Sequence, residues 1–134
     1  MKKVIKLMAV LSACWLITAC GTKSSPSEIV KTALTAFIKM DFETVKKHLA
    51  ENRISHFDER VKSLLEDSEQ KAEFMLITKD ATFEFISEAI SDDGNSATVI
   101  VKAKFMKNGK PEEDIDEMNL IMVEGKWKID SNPL

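Results

Sequence analysis

Residues 96–129 read SATVIVKAKFMKNGKPEEDIDEMNLIMVEGKWKI, and two hairpin signals inside this stretch set a strand register. Asn108-Gly109 suits a two-residue turn, because both central positions of the favoured turn type need positive φ. With that pair at the tip, Lys107 faces Lys110, Val99 faces Met118 and Ala97 faces Leu120. Glu124-Gly125 closes the next hairpin, setting Met122 opposite Trp127 and Leu120 opposite Ile129, so one parity stays apolar across three strands. Upstream, a three-residue loop Asp92-Asp93-Gly94 puts Phe85 opposite Val101 and Phe83 opposite Ala103. A two-residue loop would instead turn Glu84 and Glu88 toward the core, so the hydrophobic pattern rejects it.

Before Thr78 the period is helical. Ser25-Pro26-Ser27-Glu28 reads as a helix start, with Ser25 as N-cap, Pro26 at the first helical position and Glu28 closing a capping box. Ile29, Val30, Ala33, Leu34, Phe37 and Ile38 then share a face. Asp41 caps a short second helix carrying Phe42, Val45 and Leu49, with Lys46 and Lys47 near its negative end. After a connection over Asn52–Phe57, a third helix is predicted from about Asp58 to Leu76, burying Val61, Leu64, Leu65, Ala72, Met75 and Leu76. The fold class is α+β: three N-terminal helices packed on one face of a curved four-stranded antiparallel sheet.

Several of these segments also carry a family resemblance: Gly94–Val101 (GNSATVIV), Lys107-Asn108-Gly109-Lys110, and Val123–Asp130 (VEGKWKID). They resemble small bacterial lipoproteins of unknown function with the nuclear-transport-factor-two-like, cystatin-like fold. The helical opening Glu28–Leu49, with Met40-Asp41-Phe42 at its joint, is similar too. The resemblance implies a cone, with helices against a curved sheet around a pocket. Its motifs are turns and core positions, so it transfers no catalytic residue. Steroid-isomerase-type enzymes of the same fold use a base carboxylate with a tyrosine hydroxyl, and this chain has no tyrosine.

Residues 1–19 read as a signal peptide, with a basic start at Lys2, Lys3 and Lys6 followed by an uncharged run from Leu7 to Ala19. That run is short of the roughly 20 apolar residues of a membrane-spanning helix. Ile17-Thr18-Ala19-Cys20 resembles a lipobox, which implies lipidation of Cys20 with diacylglycerol and fatty chains such as palmitate. Leu11-Ser12-Ala13-Cys14 offers a competing register, but cleavage there would leave too short an apolar segment and put Trp15-Leu16-Ile17 on the mature surface. The expected organisation is 1–19 leader, 20–24 lipidated tether and 25–134 α+β domain. The expected location is the bacterial cell envelope, with membrane contact through Cys20. Gly21 at the second mature position, by the same resemblance, favours the periplasmic side of the outer membrane, or the cell surface, in a Gram-negative cell.

With 134 residues, 44% of them hydrophobic and 31% charged, the chain bounds one small domain. Its formal charge of −3 becomes 16 − 22 = −6 once the three leader lysines are removed, so phosphate backbones would repel it and nucleic acid is not an expected partner. After leader removal Cys20 has no second thiol to pair with, so no intrachain disulfide is expected. The five retained methionines are Met40, Met75, Met106, Met118 and Met122; of these Met40, Met75, Met118 and Met122, with Phe37, Phe85, Phe105 and Trp127, either line a pocket for a small apolar ligand or simply fill the core.

Asp114 and Asp116 fall on the concave parity at the pocket mouth, unless a bulge turns Ile115 inward. The run Glu112–Glu117 lacks the alternation and central glycine of a calcium loop, and Glu113 faces Lys104 as an ordinary cross-strand pair. His48 and His56 are too few for a zinc site. Neither a nucleophile elbow nor a phosphate or dinucleotide loop is present, so no cofactor is expected. On the opposite sheet face Ile100 and Ile121 offer an apolar strip for homodimerisation. The reading is a lipid-anchored, non-catalytic binding or interaction domain. The alternatives are a packed structural lipoprotein without a small-molecule site, or a small steroid-isomerase-like enzyme with Asp114 or Asp116 as base.

Overall fold

A computed structural model describes residues 24–132; the expected leader 1–19, the expected lipidation site Cys20 and most of the expected tether 20–24 lie outside the described residues. Helices α1 (Pro26–Ile38), α2 (Phe42–Lys47), α3 (Glu51–Glu66) and α4 (Ser68–Thr78) precede strands β1 (Thr82–Ile90), β2 (Ser96–Lys107), β3 (Lys110–Val123) and β4 (Lys126–Ile129). The strands form one antiparallel sheet in the order β1-β2-β3-β4. Among the described residues no helix is long and apolar enough to cross a membrane.

The helix starts are the ones the side chains dictate. Ser25 accepts from the Glu28 amide while the Glu28 carboxylate accepts from the Ser25 amide, so two of the first-turn donors of α1 are satisfied. Asp41 caps α2 in the same way, through the Thr44 amide. Between them, the Met40 amide bonds to the Phe37 carbonyl and the Asp41 amide to the Ala36 carbonyl, with Met40 at φ 60°. This is the left-handed termination that usually takes glycine.

Helix α3 departs from expectation, because the predicted third helix is two. Asp67 adopts extended angles, and its Oδ1 accepts from the amides of Glu69 and Gln70, ending α3 and starting α4. Helix α3 also begins seven residues earlier than expected, at Glu51 instead of Asp58, so Asn52–Phe57 is helical. Its inward face is Ile54, Phe57, Val61 and Leu64 at helical spacing, with Phe57 only 1% exposed. Leu65, Met75 and Leu76, assigned to the core from sequence, are exposed, Leu76 to 71%.

The sheet register is the expected one, from Lys107↔Lys110 through Val99↔Met118 to Leu120↔Ile129 and Met122↔Trp127. Phe85↔Val101 and Phe83↔Ala103 also hold, but by a different route. Ser91 pairs with Ser96, so the first hairpin loop is Asp92–Asn95, one residue longer than expected. A bulge at Ile86, between Phe85↔Val101 and Ser87↔Ile100, takes up the difference. In consequence Glu88 sits opposite Val99 on the core parity, the position the alternation rule forbids it. It is tolerated because its Oε1 accepts from the Ser27 amide at 2.8 Å, placing an anion at the positive end of α1.

Val30, Ala33 and Ala36 of α1, Val45 and Leu49, and Phe57 of α3 pack against Ala97, Val99, Val101, Met118, Leu120, Trp127 and Ile129. His48–Ala50 joins the sheet: the Ile129 amide donates to the His48 carbonyl (2.7 Å) and the Ala50 amide to the Ile129 carbonyl (2.8 Å), making a parallel bridge Leu49↔Ile129 along the β4 edge. On the other sheet face Ile100 and Ile121 are half-buried and Ile115 is 60% exposed.

Two substitutions separate the observed α3 face from the expected one. Phe57→Ala should cost about 3–5 kcal/mol in urea unfolding, whereas Leu76→Ala should stay within about 0.5 kcal/mol. At Gly109, φ is 75° and an added Cβ meets nothing within 4 Å. Gly109→Ala should therefore cost about 1 kcal/mol from backbone strain alone, read from the same unfolding midpoint.

Candidate functional site

The residues expected to line a pocket are dispersed by the structure. Met118 and Trp127 belong to the buried core, and Phe37, Phe85 and Met122 pack against it, so these five meet and fill the space between helices and sheet. Phe37 also stands in a row of edge-on rings, 5.2 Å from Phe74 and 6.1 Å from Phe42, with Phe42 6.0 Å from Phe57. That row ties the four helices to one another. Met40 is half-buried at the left-handed turn, Phe105 is half-buried far along β2, and Met75 is 54% exposed on α4.

Asp114 and Asp116 pair with Ala103 and Val101 in an unbroken β2–β3 register. No bulge intervenes, so both carboxylates keep the concave parity and Ile115 turns outward. Both are nevertheless exposed. Core burial stops at Val101 on β2 and begins at Met118 on β3, and the ribbon runs on past the packed layer. Across the outer face Lys102 reaches Glu113 at 3.9 Å and Lys104 reaches Glu84 at 3.5 Å. Exposed pairs of this kind contribute little to stability.

An open groove of about 1430 Å³ lies elsewhere, between the α2–α3 joint and the β3–β4 hairpin, with Ser24 and Ile29 at its side. Its apolar lining includes Ile54, Ile121, Val123 and Trp127. Its charged lining is Lys46, Lys47, Lys126 and Lys128 against Glu51 and Glu124. Lys46 is engaged by Glu43 at 2.9 Å and Asp58 at 3.1 Å, which raises its pKa. Among the described residues Lys47, Lys126 and Lys128 have no carboxylate within ion-pair range, and the Lys128 Nζ donates to the Lys47 carbonyl at 2.6 Å.

The groove exists because the Leu49↔Ile129 bridge brings the end of α2 beside β4. Arg53 holds the same junction, its Nε donating to Asp130 at 2.9 Å. His48, half-buried at this junction, has its pKa lowered, first by burial and then by the charges of Lys128 and Lys47. Of the residues expected to line a pocket, Trp127 alone lines this groove. Lysines alternating around Trp127, and the Lys46-Lys47-His48 run, were the available signal; their adjacency was not legible without the bridge. Among the described residues no group of three or more His, Cys, Asp or Glu side chains is placed to hold a metal.

Comparison with known proteins bears on the whole domain. The family described as a domain of unknown function (DUF4878) matches residues 18–130. Among solved structures, the chain is similar to an NTF-2 like protein of unknown function from Shewanella oneidensis MR-1, with 10% identity over 77% of this chain and 89% of that one, at a TM-score of 0.56. No curated protein matches. At that identity the likeness concerns the fold, which is NTF2-like.

His48 makes the junction pH-sensitive. Its lowered folded-state pKa means that its neutral form stabilises the fold above the ordinary imidazole value near 6.5, and that contribution is lost as pH falls through the depressed value. The melting temperature should therefore fall between about pH 7.5 and pH 5. His48→Asn should flatten this slope.

Proposed function

This chain belongs to the DUF4878 family, and we propose that it is a lipid-anchored lipoprotein of the cell envelope whose NTF2-like domain binds or interacts without catalysing a reaction. The observation that carries the proposal is the division of the chain. Among the described residues the core cluster and the hydrophobics packed on it run from Ile29 to Ile129, and in the sequence the basic start, the apolar run and Cys20 all precede the capping box at Ser25. A basic start and an apolar run ahead of the first capped helix suit export, and a cysteine at the end of that run suits acylation.

Two or three acyl chains on Cys20, at about 0.8 kcal/mol per buried CH₂, make the attachment effectively permanent. The domain then works on the periplasmic side of the outer membrane or at the cell surface. A binding role is supported by where the space lies. The cone interior is filled by Met118, Trp127, Phe37, Phe85 and Met122, so a small apolar ligand or a partner meets the groove. The strip around Ile100 and Ile121 is the surface for a second copy. Against chemistry stand the exposed positions of Asp114 and Asp116, where water screens a carboxylate and leaves no dry site for a base.

Intact mass spectrometry of protein extracted from its host's membranes tests the anchor. The expected mass is residues 20–134 plus a diacylglycerol-based modification, and Cys20→Ala should accumulate as unprocessed precursor. A wild-type mass equal to unmodified residues 1–134 would refute the anchor. Native spectra of the same sample should show a non-covalent adduct that is lost on denaturation if the groove carries a ligand.

A further inference from the structure

Resting on the lipid-anchored reading, we propose that the groove beside Ser24 is the face on which the domain docks to anionic phospholipid headgroups of the bilayer holding its anchor. Ser24 ends the tether and also lines the groove. From Cys20 to Ser24 the chain spans four residue steps, at most about 14 Å when fully extended. The anchor therefore keeps the groove rim within one short tether of the headgroups, and contact there is an intramolecular event at high effective concentration.

Charge selects the same face. With Lys46 balanced by Glu43 and Asp58, three lysines and two glutamates set the charge of the groove, +3 − 2 = +1, in a mature chain whose balance is 16 − 22 = −6. The remainder carries −6 − 1 = −7, so an anionic surface attracts the groove relative to the rest of the domain. Lys47, Lys126 and Lys128, without carboxylate partners among the described residues, are available to phosphates. Val123, 40% exposed, offers an apolar contact at the headgroup boundary. The acidic run Glu112–Glu117 is held away from it: from Val123 to Ile115 the strand extends eight residues, about 27 Å at 3.4 Å per residue.

The test uses the full lipidated chain in vesicles of phosphatidylcholine, with or without phosphatidylglycerol. With Cys20 acylated, Val123→Cys supplies the one free thiol for an environment-sensitive fluorophore, and Ile115→Cys serves as the remote control. The Val123 label should shift to the blue only in vesicles containing phosphatidylglycerol. The shift should vanish at about 1 M salt, where the Debye length is about 3 Å, and in the exposed double variant Lys47→Glu, Lys126→Glu, whose melting temperature verifies its fold.

Equal emission from the Val123 label in both vesicle types, an equal shift at Ile115, or a shift that survives the charge reversals would overturn the docking proposal while leaving the anchor intact. Titration of thiols in the unlabelled, unfolded chain separates the two readings. No reactive thiol means Cys20 is blocked, whereas a reactive Cys20 removes the anchor and the docking proposal with it.

Discussion

Two backbone hydrogen bonds, from Ile129 to His48 and from Ala50 to Ile129, hold the helical layer and the sheet in one arrangement. They satisfy the edge of β4, a strand of four residues that would otherwise present unpaired amides and carbonyls to solvent. They also explain an otherwise poor helix start. Ala50 has no side chain to cap α3, but the sheet holds it in the extended conformation an N-cap requires. Lys128 to the Lys47 carbonyl and Arg53 to Asp130 reinforce the junction across 81 and 77 residues of chain. Contacts so distant in sequence form only once both layers exist, since the intervening chain must first be ordered.

The start of α1 shows a second long-range constraint. First-turn amides need acceptors, and Glu88 supplies one from the opposite layer at the positive end of the helix dipole. Reaching that position requires Glu88 to occupy the core parity of β1, which the bulge at Ile86 and the longer Asp92–Asn95 loop arrange together. Asp93 stabilises that loop by accepting from the Ser91 hydroxyl and the Asn95 amide, which lowers its own pKa. Alternation is a strong rule for a strand half-buried by apolar contact. A carboxylate that meets a helix terminus is the exception with a cause.

These constraints place the larger open space at the junction of helices and sheet, beside the packed interior. Rings and methionines occupy the interior, and the carboxylates on the far ribbon are exposed. An open groove lies at the bridged junction, where lysines flank an apolar floor beside Ser24. A surface of that kind suits binding and orientation, for which exposed charge and modest apolar area suffice.

From sequence alone, the α+β class, the four strands and the register of β2, β3 and β4 were legible, because turn chemistry and period-two alternation are local properties that name their own partners. The capping box of α1 and the Asp41 cap of α2 were legible for the same reason. The Ser87–Ile90 half of β1 was not, because the bulge at Ile86 shifts its pairing by one residue. The division of α3 from α4 at Asp67 was not, since an aspartate within a helical pattern reads equally as a surface residue until its amide partners are seen. Nor was the rim groove: Lys47 and Lys128 lie 81 residues apart, and only the pairing of Leu49 with Ile129 makes them neighbours. Strand register follows from contacts a few residues apart, whereas this site depends on the closure of two layers, whose geometry is set by packing across the whole chain.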